Sequence, residues 1–361
     1  YVTFYEGPGY DSTTGIGYTG PIFGRGESTG RLLTEAGTAT WDANPHPGQV
    51  RLPLRWNPLT EPAVALDVDA NPGAGSYAIN DDETIVGSAN TDSGFRAALW
   101  SAGGSGLHIL QVNSNFISRA AHDINDSGVV VGFGEQIVVP NIGYHAVLWD
   151  TALIPHILDT PATMLFPEST FVQALAVNEA SVVVGNGRLF AGGAGTRAVR
   201  WDSAGSPIVL GDLGSSPAGD TNAAAWAINS AGDAVGTADK YDAMGNSDGT
   251  RAVRWSAATT AAVELEVLGA DSNGVSESKV FDINDAGFSV GRSLEYVGND
   301  SQSYYAVQWN AAGQVTELGH LPGGFKTGEA HDINEAGIAV GQAARPAGFG
   351  SSENVAVYWD V

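Results

Sequence analysis

The chain has 361 residues, 43% of them hydrophobic, with 48 Gly, 16 Pro and no Cys, and its 40 acidic residues against 16 basic ones give a net charge of −24. That charge opposes binding to nucleic acid and to anionic membranes. The missing Cys excludes disulfides and thiolate chemistry, and no run approaches the ~20 apolar residues of a membrane-spanning helix. Salty water would screen the self-repulsion. The opening "YVTFYEG" lacks Met, so a removed leader and a secreted or periplasmic protein are expected.

In chain order, residues 1–50 carry no clean pattern, and "RLPLRW" then ends at Trp56. One motif is then written six times: "YAINDDETIVG", "HDINDSGVVVG", "LAVNEASVVVG", "WAINSAGDAVG", "FDINDAGFSVG" and "HDINEAGIAVG". Each copy precedes a second motif: "RAALW", "HAVLW", "RAVRW" twice, "YAVQW" and "VAVYW". The closing Trp residues are Trp56, Trp100, Trp149, Trp201, Trp255, Trp309 and Trp359, in steps of 44 to 54 residues. A period of about 40–50 residues built from strand-like segments is the signature of a β-propeller.

Each unit reads as four strands. Residues 145–149 alternate, as does "IPHILDT"; "QALAVN" and "SVVVG" complete the set, and "N-D-x-G" steps make tight hairpins where Gly, Asn and Asp tolerate positive φ. No helix signal of useful length is present. The pattern predicts an all-β chain forming one domain over 1–361, a single seven-bladed β-propeller of four-stranded blades. Residues 1–56 form a degenerate first blade, and 57–361 hold the six clear repeats.

The copies serve as controls for one another. Ala and Trp recur at fixed places in the Trp strand (Ala146 and Trp149, Ala198 and Trp201, Ala252 and Trp255), so the Trp reads as packing between blades. The Asn present in every copy (Asn80, Asn125, Asn178, Asn229, Asn284, Asn334) reads as part of the turn. Two positions vary. Four residues before each Trp stand Arg96, His145, Arg197, Arg251, Tyr305 and Val355; three before each turn Asn stand Tyr77, His122, Leu175, Trp226, Phe281 and His331.

Equivalent positions in a propeller form rings, so the first set predicts cations converging on one mouth and the second an aromatic, histidine-rich level. Such a mouth suits a charged sugar chain, since Arg forks bind carboxylates and sulfates and rings stack on sugar faces. An Arg opening an exposed strand also reads as a partner for a nearby carboxylate. The ring as a whole favours function, because this acidic chain keeps its cations in register.

One unit has His at both variable positions, His122 and His145, 23 residues apart. They read either as coincidental core histidines or as a working pair. His331 lacks such a mate and reads as structural. His108, His156 and His320 read as surface groups, and His46 in "NPHPG" as a remote metal-ligand candidate.

The repeated "AINDxGxVVG…HAVLWD" resembles the extracellular HAF-type repeat, and it is similar to the seven-bladed ulvan lyases of polysaccharide lyase families 24 and 25. The repeat resemblance covers about residues 52–361 and speaks mainly to architecture. The lyase resemblance rests on fewer residues and implies a lyase that cleaves an acidic, uronate-containing and sulfated marine glycan by β-elimination. Those lyases use a histidine pair with a Tyr and an Arg from a later blade, for which His122, His145, Tyr241 and Arg251 are the matching candidates. The loop "NGRLFAGGAGT" departs from the pattern, offering Arg188 and Arg197 but no Tyr. Arg96, Arg188, Arg197, Trp226 and Tyr305 are the expected substrate-binding set.

The chemistry wants these types. Removing the proton α to a uronate carboxylate requires a cation to neutralise that carboxylate in the transition state. A His near neutrality, or a Tyr whose pKa adjacent cations depress, takes the proton. No cofactor is required. Asp-rich turns such as "NSDG" and "DANPG" allow a structural Ca²⁺, although no complete Ca²⁺-loop motif is present. A monomer binding an anionic polysaccharide is expected. The alternative is a non-catalytic propeller binding carbohydrate or protein, which the charge of −24 favours.

Overall fold

The computed structural model describes residues 73–361 apart from 103–105, 139–141, 165–169, 189–194, 298–299, 322–324, 349–350 and 361. Of the first 72 residues it describes the strands and residues 66–67. The described chain is all-β, and its one helical turn is the 3₁₀ segment Ala162–Met164.

Antiparallel four-stranded units succeed one another along the chain, each here called by its Trp; the Trp149 and Trp201 units are joined into one sheet by a short parallel pairing of Gly143 with Thr170 and Tyr144 with Phe171. The Trp56 sheet comprises Ser28–Leu33, Ala39–Ala43, Leu52–Trp56 and Val64–Ala65. The Trp100 sheet comprises Ala74–Ile79, Ile85–Thr91, Gly94–Trp100 and Leu107–Ile109, and the Trp149 sheet Phe116–Ile124, Val130–Gln136, Gly143–Trp149 and Pro155–Ile157. The Trp201 sheet holds Thr170–Val177, Val183–Arg188, Thr196–Trp201 and Pro207–Val209; the Trp255 sheet holds Ala223–Ile228, Ala234–Tyr241, Ser247–Trp255 and Ala262–Glu264. The Trp309 sheet holds Ser278–Ile283, Ser289–Val297, Asp300–Trp309 and Val315–Glu317.

The Trp359 sheet holds Gly328–Ile333, Ile338–Gly348 and Ser351–Asp360, and its fourth strand is Val2–Phe4 from the other end of the chain, with Val2 opposite Trp359. The described strands within residues 1–56 are therefore divided among the Trp359 sheet, the Trp56 sheet and a further pair. Pro8–Tyr10 and Gly17–Pro21 form a separate two-stranded pair. Strand phase, which periodicity left open, is thereby set: the "xIN" strand is first, the "VVG" strand second, the Trp strand third and the "IL" strand fourth.

Two repeated contacts join the sheets. The repeat Trp rings from Trp100 to Trp359 are buried, and each indole N–H donates to a carbonyl of the preceding connection: Trp149 Nε1 to Gln111 O at 2.7 Å, Trp201 to Asp159 O at 2.7 Å, Trp255 to Gly211 O at 2.9 Å. A buried indole needs such a partner. Each turn Asn does more than shape its turn. Its Oδ1 accepts the N–H four residues on, and its Nδ2 donates to the carbonyl of the matching Asn in the next sheet, as in Asn125 to Asn178 at 3.0 Å and Asn178 to Asn229 at 3.1 Å.

Apolar clusters lie between sheets. Ala78, Val86 and Ala97 of the Trp100 sheet meet Ala121, Val130 and Val147 of the Trp149 sheet, whose opposite side packs Val131 and Ala146 on Val172 and Val199. Alternate residues of every strand thus face alternate neighbours, which is why the strands read as nearly continuous apolar runs.

Candidate functional site

Every first strand of the repeat is interrupted by a β-bulge at the same place. The register skips from Ser76 to Ala78, Ala121 to Asp123, Ala174 to Ala176, Ala225 to Ala227, Val280 to Asp282 and Ala330 to Asp332. The extra residues are Tyr77, His122, Leu175, Trp226, Phe281 and His331, the second variable set of the sequence. A bulge frees one side chain from the ladder and re-aims it. It also explains the Gly of "VVG": a Cβ at Gly132, Gly185 or Gly236 would overlap a carbonyl oxygen of the bulged strand.

His122 is the chemically equipped member. Its Nδ1 lies 2.9 Å from the Ala174 carbonyl, so Nδ1 carries the proton and Nε2 presents a lone pair. Burial lowers its pKa, with the Ala174 bond opposing in part. Its ring sits 5.9 Å from Tyr77 and 5.3 Å from Phe133. Phe133 meets Tyr144 edge-on at 5.2 Å, and Tyr144 meets Phe171 of the Trp201 sheet at 5.5 Å. One imidazole thus sits within an aromatic wall that runs from Tyr77 of the Trp100 sheet to Phe171 of the Trp201 sheet.

His145 does not join it. Directly paired residues of antiparallel strands share a face, and the pairs are Phe133 with Ala146 and Gly134 with His145. His145 therefore points from the face opposite Phe133 and His122. It is buried, edge-on to Phe116 at 5.5 Å, with Nδ1 3.4 Å from Thr160 Oγ1. It lines a cavity of about 730 Å³ with Leu158, Thr160, Pro161, Pro207 and Val209, beside the fourth strands. The expected histidine pair is corrected: a one-residue change of parity separates the two rings.

Arg251 and Tyr241 are corrected as well. Arg251 is 1% exposed; its Nε donates to Glu264 at 2.9 Å, one terminal nitrogen to the Ser276 carbonyl and the other to the Gly274 carbonyl at 2.8 Å. All three guanidinium nitrogens are engaged by protein. Tyr241 lies beside Leu213, and burial together with Asp239 and Asp220 raises its pKa, the reverse of an activated base.

The cation ring does not converge on a mouth. Arg197 reaches Asp212 at 3.6 Å and the Thr221 carbonyl at 2.8 Å, repeating the Arg251 pattern one sheet earlier. Tyr305 is buried, its hydroxyl donating to Glu295 at 2.7 Å, and burial with that bond pushes its pKa up to about 12. The two arginines fasten a third strand to the segments that come after it, and Tyr305 ties its strand to the second strand of the same sheet. Trp226 does stand exposed in the bulge ring, its indole N–H on Thr237 Oγ1 at 3.1 Å, and Arg188 is exposed at the end of its strand. His331 packs on Phe281 at 5.2 Å and lies 3.7 Å from Glu329. His108, His156 and His320 are exposed on or beside fourth strands; His46 lies outside the described residues.

Copy-against-copy reading missed two features. Asp123, Asp282 and Asp332 directly succeed bulged residues. Asp123 accepts from Val177 N at 2.8 Å and Ile124 N at 2.9 Å, yet burial pushes its pKa up to about 7. Burial and the neighbouring Asp332 raise Asp282 well above the carboxylate range. Asp in three of six copies was the available signal. The second feature is Arg119, paired with Glu135 through Nε at 2.8 Å. It belongs to an additional bulge and so has no counterpart in the other copies. Among the described residues no three His, Asp or Glu side chains converge as metal ligands, and "DANPG" lies largely outside them.

No protein-family model matches the sequence, and no curated protein does. Among solved structures, the chain is similar to the β-propeller domain of the Trilobed protease from Pyrococcus furiosus, with an open velcro topology, at 9% identity and TM-score 0.57, covering 93% of each chain. It is similar to the polysaccharide lyase Uly1 at 12% identity and TM-score 0.51, covering 99% of this chain and 93% of that one. It matches a puromycin hydrolase at 13% identity and TM-score 0.56, spanning about half of that longer chain (51%) and 91% of this one. At such identities the likeness is one of fold: the chain has the β-propeller fold.

Proposed function

We propose that this protein is a polysaccharide lyase acting on an acidic, uronate-containing glycan such as ulvan, built as a secreted seven-bladed ring. The packing of Ser28–Leu33 against the Trp359 sheet, with Val2–Phe4 as that sheet's fourth strand, supports the ring. One observation carries the activity: His122 is a neutral imidazole with its Nδ1 proton held by Ala174 and its pKa lowered, so Nε2 is poised as a base beside an aromatic wall.

In the reaction His122 Nε2 takes the C5 proton of the uronate. The C5–H electrons form the C4=C5 double bond, the C4–O4 bond breaks with its pair on oxygen, and O4 receives a proton. Tyr144, on the His122 side of the sheet, is the proposed proton donor. The exposed Arg188, beyond Phe171, is the proposed cation for the scissile carboxylate. Incubation with ulvan, alginate, pectin and glycosaminoglycans, monitoring ultraviolet absorbance of the unsaturated product, tests the reading. Absence of product with every substrate would sink it.

The second reading is a carbohydrate-binding propeller without catalysis. It is favoured by the structural engagement of Arg197 and Arg251, which leaves few cations for a transition state. Binding of a glycan without elimination would select it.

A further inference from the structure

The additional bulge places Arg119 where no other first strand of the six repeats has a residue. In the Trp255, Trp309 and Trp359 sheets a single slip separates first and second strands; in the Trp149 sheet a second slip, between Ser118 and Ala120, adds Arg119. Three residues separate it from His122, about 10 Å at strand rise.

Arg96 is the neighbouring cation of the Trp100 sheet. It occupies the ring position of Arg197 and Arg251, both of which meet an acid: Asp212, eleven residues after Trp201, and Glu264, nine after Trp255. The matching places after Trp100 hold Gln111 and Ile109, neither charged. Among the described residues Arg96 instead makes one hydrogen bond, from a terminal nitrogen to the carbonyl of its own neighbour Phe95 at 2.9 Å. Burial lowers its pKa, and the charge that acts with burial is that of Arg119. The strands that carry the two arginines, Gly94–Trp100 and Phe116–Ile124, pack against each other, so an anion lying between the guanidiniums would be attracted by both. Phe95, beside Arg96, is 52% exposed, an apolar ring at the edge of the same strand.

We propose that Arg96 and Arg119 form a subsite for an oxyanion carried by a glycan, a sulfate ester or a carboxylate, on a sugar next to the one His122 attacks, with Phe95 as the surface on which that sugar stacks. Guanidinium forks suit such oxygens bidentately. Glu135 holds Arg119 through Nε and one terminal nitrogen and leaves the other terminal nitrogen for the ligand. The subsite deepens the lyase reading and rests on it only for the position of the cleaved sugar.

The test is affinity measurement with ulvan, chemically desulfated ulvan and pectate, on the wild type, Arg96→Gln and Arg119→Gln, with product formation measured in parallel. A lost charge-assisted hydrogen bond corresponds to about a tenfold or greater loss of affinity. Loss confined to ulvan identifies the sulfate ester; equal loss with all three glycans identifies the carboxylate. Wild type that binds without eliminating sinks the lyase reading and leaves the subsite standing. Arg96→Gln that binds every glycan like wild type overturns the subsite even when elimination proceeds, as does wild type that binds none. Arg96 lies at the surface, so its variant folds even where loss of the Arg119–Glu135 pair does not permit the other.

Discussion

Asn125 donates from Nδ2 to the main-chain carbonyl of Asn178, 3.0 Å away in the next sheet, while its own Oδ1 receives Val129 N at 2.8 Å. The same two bonds recur at Asn80, Asn178, Asn229 and Asn284, and Asn334 accepts Ile338 N in the same way, so one side chain closes a hairpin and fastens it to its neighbour. A residue constant in every copy is thus a joint rather than a catalyst.

Replacing that joint should cost stability and spare chemistry. Asn178→Ala leaves a buried carbonyl and a turn N–H without partners, at about 1–3 kcal/mol. Thermal melting should fall by several degrees, with glycan affinity unchanged.

His122→Ala should lower product formation by about 10²–10⁴-fold, with melting close to wild type. The pH profile carries the sign. Burial lowers the His122 pKa below its ordinary value of 6.5, so the neutral, active form persists into mildly acidic solution. The acid limb of kcat/KM should lie below pH 6.5, and a limb above it would refute the assignment.

Arg251→Lys should behave as a folding defect. A single ammonium cannot reach Glu264, Ser276 O and Gly274 O together. Each buried carbonyl left without its donor costs about 1–3 kcal/mol. Melting should drop well below that of the His122 variant, whereas Tyr241→Phe should be mild in both stability and rate.

Asp123→Asn should stabilise the protein at neutral pH relative to acid. The native pKa of about 7 exceeds the ordinary value of 3.8, so the folded state holds a proton that the unfolded chain releases between these values. Stability from this group is complete below about pH 3.8 and declines as pH rises to about 7. Melting curves across this range should fall less steeply for the variant, since Asn removes the titration; parallel curves would contradict the assignment.

Periodicity and composition determined the all-β class, the four-strand unit, the buried Trp and the absence of disulfides. These properties come from spacing and residue type repeated along the chain, which no distant contact needs to complete. Six copies also marked a variable position that the structure places at a bulge: Tyr77, His122 and Trp226 stand there. How one copy acts on another was beyond reach. His122 and His145 share a sheet, but the parity of their pairing partners puts them on opposite faces, and parity is a property of register. Arg197 and Arg251 looked alike in sequence, where a carboxylate partner was one reading but could not be named; Asp212 and Glu264 stand in or just beyond the fourth strand and fold back on them. Arg119 was invisible because its bulge adds a residue that no other copy has. Tertiary structure decided which side chains meet, because a β-bulge or a returning strand redirects a side chain without changing the repeat around it.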